Sequence, residues 1–246
     1  MDRRTFLAAT ATGVSALAAP LRVAAQPGPD AKTRRVLDVA RTEIARAGDA
    51  LWRHDMAAIA DFGVHSAQPR FHIANLEAGT VRSLLVAHGS GSDPEHDGWL
   101  NDFSNLHDSW ATSRGAYVSW EWYEGRFGTS MRLEGLDPSN DQAYPRAIVM
   151  HAASYSTPDH VARWGRAGRS NGCFAVAPEE LPGALYQLSG GRLLFADRLG
   201  IGEDGSAVVA PAQAAVDFAA VVAQRQAEMQ QQEVELGFEP PGEETP

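Results

Sequence analysis

Cysteine is nearly absent from this 246-residue chain, in which Cys173 is the only one. A single cysteine excludes an intrachain disulfide, and no cysteine stands near the N-terminus as a lipid attachment site. Internal repeats are absent as well. A lone thiol is either a small buried apolar side chain or a reactive group. The surroundings of Cys173 must therefore decide between these two interpretations.

Net positive charge is also lacking, since the formal charge is −10. From Glu203 onward, the sequence has nine acidic residues and one basic residue, Arg225. Proteins that bind nucleic acid neutralise phosphates with lysine and arginine. The composition therefore argues against a nucleic-acid partner, and it concentrates the acidity at the C-terminal end.

A long apolar run is missing, because the run from Phe6 to Ala19 is shorter than the roughly 20 residues that a membrane span needs. Arg3 and Arg4 precede this run, and the small residues 23–25 follow it. This order is typical of a twin-arginine export signal, although an amphipathic helix is the alternative. We expect residues 1–25 to be removed after Ala25, which predicts a periplasmic protein without a stable membrane anchor.

The rest of the chain predicts a mainly β domain between helical ends. Apolar residues three or four apart predict an N-terminal helical segment over 26–62, and residues 63–202 form the main domain. Residues 203–246 predict a helix over 212–236 and an acidic, partly disordered tail. A further helix is expected between Pro178 and Gly190. Residues 89–115 show little periodicity, which predicts a long functional loop. Seven runs predict the strands of a β-sandwich or barrel: 70–76, 81–87, 116–123, 129–136, 147–152, 173–177 and 192–196.

Cys173 lies where a polar loop meets an apolar strand, directly after Gly172. A glycine there permits close backbone approach to a substrate, so the Gly172 and Cys173 amides are candidates for an oxyanion hole. His151 ends another apolar strand 22 residues earlier, and a Cys–His pair is an activated nucleophile for acyl transfer. Arg169 is expected to favour the thiolate. Ala152 offers no polar side chain, so a backbone carbonyl is expected to orient His151.

Other polar and aromatic residues keep two interpretations each. Arg169 and Arg132 either bind substrate carboxylates or form surface ion pairs. His88, which also follows an apolar strand, contacts substrate or makes a structural hydrogen bond. The histidines lack the short spacing of zinc ligands, so no metal or cofactor is predicted. A group of aromatic residues is either core or a platform for glycan or peptide: Trp110, Tyr117, Trp120, Trp122 and Tyr123.

The motif around Cys173 resembles that of the murein L,D-transpeptidase catalytic domain family, the YkuD-type enzymes. That family has a histidine, a variable segment and then Ser-His-Gly-Cys; here His151 is followed by Ser170-Asn171-Gly172-Cys173. Asn171 replaces the second histidine of the family. Further resemblance lies in Arg70-Phe71-His72-Ile73, Val86-Ala87-His88-Gly89, Phe103-Ser104-Asn105, the run 132–136 and Gly168-Arg169.

The resemblance implies an L,D-transpeptidase-like β fold over 63–202 and a cysteine acyltransferase acting on peptidoglycan stem peptides. It implies Cys173 as nucleophile, His151 as base, 3→3 cross-links formed through a thioester, and carbapenem-type covalent inhibitors. Ser170 and Asn171 would then stand at the substrate site. Two alternatives stay open: a carboxypeptidase or endopeptidase using the same Cys–His pair, and a non-catalytic cell-wall-binding protein.

Overall fold

The computed structural model describes residues 28–126 and 128–235. Within them, the helices are α1 (Ala31–Ala47), α2 (Pro158–Trp164), α3 (Leu181–Leu188) and α4 (Phe218–Glu235). The strands are β1 (Met56–Asp61), β2 (Phe71–Asn75), β3 (Thr80–Leu84), β4 (Gly115–Gly125), β5 (Gly128–Gly135), β6 (Val149–Ala152), β7 (Phe174–Val176) and β8 (Arg192–Asp197). No helix in this part of the chain is both long enough and apolar enough to span a membrane.

The eight strands form one curved sheet in the order β3-β2-β1-β8-β4-β5-β6-β7. The pairs β1–β8 and β6–β7 are parallel, and the other pairs are antiparallel. A bridge between Ala87 and Ala175 brings the chain after β3 to β7, so the two ends of the sheet meet. All eight strands and α3 contribute to one buried apolar cluster. The result is barrel-like and mainly β, as the sequence predicts.

Helix α1 covers the outer face of the sheet. It begins after Asp30, whose side chain accepts a hydrogen bond from the Thr33 amide at 2.7 Å. Val36, Leu37 and other apolar residues of the helix pack with side chains of β1, β4 and β8 in a second buried cluster. The helix ends at Gly48, which has a positive φ.

The prediction of helix through residue 62 is wrong beyond this point. Residues 48–50 form a 3-10 turn, and 56–61 form β1, a central strand with neighbours on both sides. Ala57, Ala58, Ile59 and Ala60 are all buried. A strand that is buried on both faces appears in sequence as a continuous apolar run. When that run is rich in alanine, the sequence alone does not distinguish it from a helix.

The remaining secondary-structure predictions largely hold. All seven predicted strands are present, with ends shifted by a few residues, and the helix after Pro178 is α3. The sequence patterns do not predict α2, and they predict the start of the C-terminal helix six residues before Phe218. The predicted signal and the tail from Gly237 lie outside the described residues.

The carboxylate of Asp61 ties the end of β1 to the chain after β8. It is fully buried and accepts hydrogen bonds from the amides of Gly63, Leu199, Gly200 and Ile201, at 2.6 to 2.9 Å. Four donors replace the water that a buried carboxylate loses. This contact fixes the rim of the barrel on the side of Phe62.

We expect Asp61→Asn to lower the free energy of unfolding by about 2 kcal/mol, because an amide cannot accept all four hydrogen bonds and presents a donor to donors. Urea denaturation measures the change. Asp49→Asn, at an exposed position, is the control and should change stability by less than about 0.5 kcal/mol. Equal effects of the two substitutions would contradict this role of Asp61.

Candidate active site

The parallel pair β6–β7 brings His151 and Cys173 to one face of the sheet. Met150 pairs with Phe174 and His151 pairs with Ala175. Met150 and Phe174 are part of the core. Side chains alternate along a strand, so His151 and Cys173, which neighbour these two residues, lie on the opposite face. Since Cys173 precedes Ala175 by two residues, the two side chains are diagonal neighbours on that face.

The Cys173 thiol is shielded from solvent. The residue is 8% exposed, and Sγ lies 3.7 Å from the carbonyl oxygen of Ala147. Burial raises the pKa of the thiol, while a hydrogen bond from the Val149 backbone and the positive charge of Arg146 lower it in part. At neutral pH the thiol is therefore protonated, and its activation needs a base.

The imidazole of His151 is held by its own strand. Nδ1 lies 2.9 Å from the carbonyl oxygen of Ala152, so the expected backbone carbonyl is that of Ala152. A neutral ring that donates Nδ1–H carries its lone pair on Nε2. Burial lowers the pKa of His151, and the Ala152 hydrogen bond offsets this in part. The ring is consequently neutral at pH 7, which is the form that accepts a proton.

Arg146 lies near the thiol, although the sequence motifs do not predict it as a site residue. Its Nη1 donates to the Ser104 carbonyl at 2.9 Å and to Ser113 Oγ at 2.7 Å. Its Nη2 donates to the Ala111 carbonyl at 2.6 Å and to Ser109 Oγ at 3.3 Å. One guanidinium thus fastens the predicted functional loop beside the cysteine. An arginine directly before the apolar strand that ends in His151 was the available signal.

Gly172 allows this loop to approach the cysteine. Its φ is +108°, and a Cβ there would lie 2.7 Å from the Ala111 carbonyl oxygen and 3.3 Å from Arg146 Nη2. Any side chain would therefore push the loop away from the turn. Gly172 is therefore required for the packing of the loop against this turn, in addition to the substrate approach that the sequence predicts for it.

The hydroxyl of Ser170 shapes the same turn. It accepts a hydrogen bond from the Gly172 amide at 3.2 Å and donates to the Cys173 carbonyl at 2.7 Å. The residue is buried. The Gly172 amide is thus engaged within the turn, contrary to its predicted part in an oxyanion hole, and the Cys173 amide is the candidate that remains. Ser170 thus orders the turn that carries the cysteine.

His88 lies in a buried polar chain behind the site. Arg70 Nη2 donates to its Nδ1 at 2.6 Å, and its Nε2 donates to Asp93 Oδ2 at 3.1 Å. Burial lowers the pKa of His88 to about 4. Both ring nitrogens have protein partners in the interior, so the structure contains the structural hydrogen bond that was one of the two interpretations of His88.

Arg169 does not have the role at the thiol that the sequence predicts. Its guanidinium donates to the carbonyls of Asp93 and Pro94, the latter at 3.3 Å. The cation that lowers the pKa of Cys173 is Arg146. Arg169 instead fastens the chain that follows His88 to the turn before Cys173.

The two other predicted substrate residues reach the surface. Asn171, at the position of the family's second histidine, is exposed beside the buried cysteine. Arg132 pairs in register with Val149 of β6, lies 4.2 Å above the Tyr123 ring and forms an ion pair with Glu121 at 3.1 Å. Asn171 is thus next to the thiol in sequence, and Arg132 lies on the strand adjacent to β6.

Tyr155 is a second residue near the thiol that the sequence did not indicate. It packs against Ala153 and Ala175. Burial, together with the negative charge of an ionised Cys173, raises the pKa of its hydroxyl to about 12. A tyrosine that follows the histidine strand carries no distinctive sequence signal. Only the 3-10 turn at 154–156, which is visible in the structure, brings its side chain back over β7.

Comparisons with solved structures find L,D-transpeptidases and a cell shape determining protein. One from Mycobacterium smegmatis is 15% identical, with 58% of each chain covered and a TM-score of 0.36. LdtMt1 in complex with imipenem is 14% identical over 58% of this chain and 59% of that one, with a TM-score of 0.35. Pgp2, a helical cell shape determining protein from Campylobacter jejuni, is 13% identical over 84% and 65%, with a TM-score of 0.36. At such TM-scores the likeness carries no argument about this site.

The sequence itself matches a family. No curated protein matches the chain. The chain covers 58% of the length of the first of the solved structures. The profile of the L,D-transpeptidase catalytic domain, however, matches residues 30–196, which include α1, β1 to β7, all of β8 but its last residue, and both His151 and Cys173. The chain belongs to the L,D-transpeptidase catalytic domain family.

Proposed function

We propose that this protein is a cysteine acyltransferase that forms 3→3 cross-links between peptidoglycan stem peptides. The observation that carries the proposal is the placement of His151 and Cys173 on one face of adjacent parallel strands. The backbone contact of His151 Nδ1 favours the tautomer that accepts a proton at Nε2. Membership of the family supports peptidoglycan as the substrate.

The first half of the reaction acylates the enzyme. His151 Nε2 takes the thiol proton, and the Cys173 thiolate attacks the carbonyl of the third stem residue at its bond to the terminal D-alanine. The Cys173 amide donates to the oxyanion. When the intermediate collapses, the C–N bond breaks, His151 returns the proton to the leaving amine, and a thioester remains on Cys173.

The second half transfers the acyl group. An amine from a neighbouring stem attacks the thioester carbonyl, His151 accepts a proton from that amine, and the C–S bond breaks. The proton then returns to the Cys173 sulfur, so the enzyme is regenerated. Water in place of the amine would give a carboxypeptidase, which is why the acceptor decides between the two activities.

The charges around the thiol suit this cycle. Burial keeps Cys173 and His151 neutral in the resting enzyme, and Arg146 stabilises the negative charge that develops on sulfur. A neutral pair avoids the cost of two buried charges before substrate binds. A carbapenem, whose strained lactam carbonyl acylates thiolates, is the inhibitor class that we expect.

The proposed substrate also requires export. The twin-arginine pattern in residues 1–25, which lie outside the described residues, supports transport to the periplasm. There the protein would meet peptidoglycan, its proposed partner.

Incubation of purified stem-tetrapeptide muropeptides with the protein, followed by chromatography and mass spectrometry, tests the function. We expect 3→3 dimers and free D-alanine with the wild type and neither with Cys173→Ala. Shortened stems without dimers would show hydrolysis and contradict transfer. The absence of any product from the folded protein would contradict catalysis.

His151→Gln should slow acylation of Cys173 by a carbapenem by about 10²- to 10⁴-fold, because general base catalysis is lost. In the wild type, the rate should fall only as pH drops through the lowered pKa of His151, which lies below 6.5. Intact-protein mass spectrometry over pH 4 to 8 measures both effects. A half-maximal rate above pH 7, or the same profile in the variant, would contradict the assignment.

Arg146→Gln should raise the pH at which iodoacetamide alkylates Cys173, since a positive charge beside the thiolate is lost. Arg146→Lys keeps the charge but cannot donate to four acceptors, so we expect alkylation near the wild-type pH with kcat about tenfold lower. Arg41→Gln on the exposed face of α1 is the control. Identical alkylation profiles for Arg146→Gln and wild type would contradict the electrostatic role.

A further inference from the structure

Several large aromatic side chains are exposed away from the cysteine. Trp52 is 72% exposed and Trp122 is 47% exposed, and Trp52 contacts the edge of Trp120 with 5.0 Å between ring centroids. The three tryptophans line a hollow of about 510 Å³. A second hollow of about 660 Å³ shares Trp120 and Glu121 and continues to Tyr144 and Pro145. We call the two together the aromatic groove.

The backbone is shaped to expose these rings. The register of β4 and β5 shifts between Ser119 and Trp122, so Trp120 and Glu121 together oppose Arg132. Such a bulge breaks the alternation of side chains and redirects them. It explains why three consecutive residues, 120–122, all line the groove. Exposed tryptophans contribute little to the core, which points to a binding role.

The rim of the groove is acidic. Among the described residues that line it, Glu121, Glu134 and Asp141 carry carboxylates. Arg132 borders the groove, since it forms an ion pair with Glu121 at 3.1 Å and lies 5.8 Å from the centroid of the Tyr144 ring, and it offsets one of these three charges. Glu134 accepts a hydrogen bond from Trp120 Nε1 at 2.9 Å, which fixes that ring. Carboxylates repel phosphates, acids and anionic lipid, but they accept hydrogen bonds from hydroxyl and amide groups.

We propose that the aromatic groove binds a glycan strand, an uncharged chain of linked sugar rings. The apolar face of each ring would lie on a tryptophan or tyrosine, and its hydroxyl or acetamido groups would donate to the carboxylates at the rim. The volumes fall within the range of about 300 to 1,000 Å³ that is usual for ligand sites.

The chain that lines the groove leads to the proposed catalytic residues. Tyr144 and Pro145 line the second hollow, and the carbonyl oxygen of Ala147, two residues after Pro145, lies 3.7 Å from Cys173 Sγ. A glycan strand in the groove would carry its attached stem peptide toward the thiol. This placement rests on the proposed function, whereas glycan binding itself does not require the cysteine.

The test is isothermal titration of the full protein with chitohexaose, an uncharged β-1,4-linked N-acetylglucosamine hexamer that has no peptide. We expect saturable binding, with a Kd about tenfold higher in Trp52→Ala and in Trp122→Ala, because each removes an aromatic contact. Trp164→Ala is the matched control, since Trp164 is 53% exposed on α2 outside the groove. Circular dichroism verifies that each variant is folded.

Absence of saturable binding up to millimolar sugar, or an equal loss in all three variants, would overturn the proposal. Tighter binding to phosphatidylcholine vesicles than to the sugar, lost in the same two variants, would also overturn it by assigning the groove to a membrane. A protein that binds chitohexaose but makes no cross-links contradicts the proposed function alone. A protein that makes cross-links but does not bind the sugar contradicts this proposal alone.

Discussion

The guanidinium of Arg146 is the contact on which the arrangement of the site depends. It joins two carbonyls and two hydroxyls from the segment 104–113, and the chain that carries it leads directly into the histidine strand. Gly172 lets the same segment approach the cysteine turn. Other hydrogen bonds of this loop, such as those of Thr112 with the Gly89 amide and with Ser92 Oγ, hold it to the chain after His88, and Arg146 holds it to the chain before the histidine strand. The same charge stabilises the thiolate, so position and reactivity have a common cause.

A second set of polar contacts supports the turn from behind. Arg70, His88 and Asp93 form a hydrogen-bonded chain in the interior, and Arg169 attaches the backbone at Asp93 to the cysteine turn. Burial lowers the pKa of Arg70 to about 9, opposed by the charges of Asp61 and Asp93. Buried polar groups that are all satisfied specify one arrangement. Residues that look catalytic in sequence here serve to build the wall of the site.

Local patterns predicted the strands and the Cys–His pair, because both depend on short-range alternation and on residues at strand ends. They did not predict β1, whose alanines lack a polar face, since the strand is buried on both sides. They also assigned the thiol's cation to Arg169, its neighbour in sequence, whereas folding brings Arg146 there. The role of His88 could not be predicted from local patterns either. A histidine that follows a strand looks the same in sequence whether its side chain contacts a substrate or an internal aspartate.

In the proposed cycle, the buried, neutral thiol of Cys173 becomes the acylated group. The most direct measurement is acid quenching of the protein during turnover of a stem tetrapeptide, followed by proteolysis and mass spectrometry of the peptide that contains residue 173. We predict a tripeptide thioester on Cys173 that forms and decays at the rate of product formation. A labile acyl group on another residue, or turnover with no modified Cys173, would contradict it.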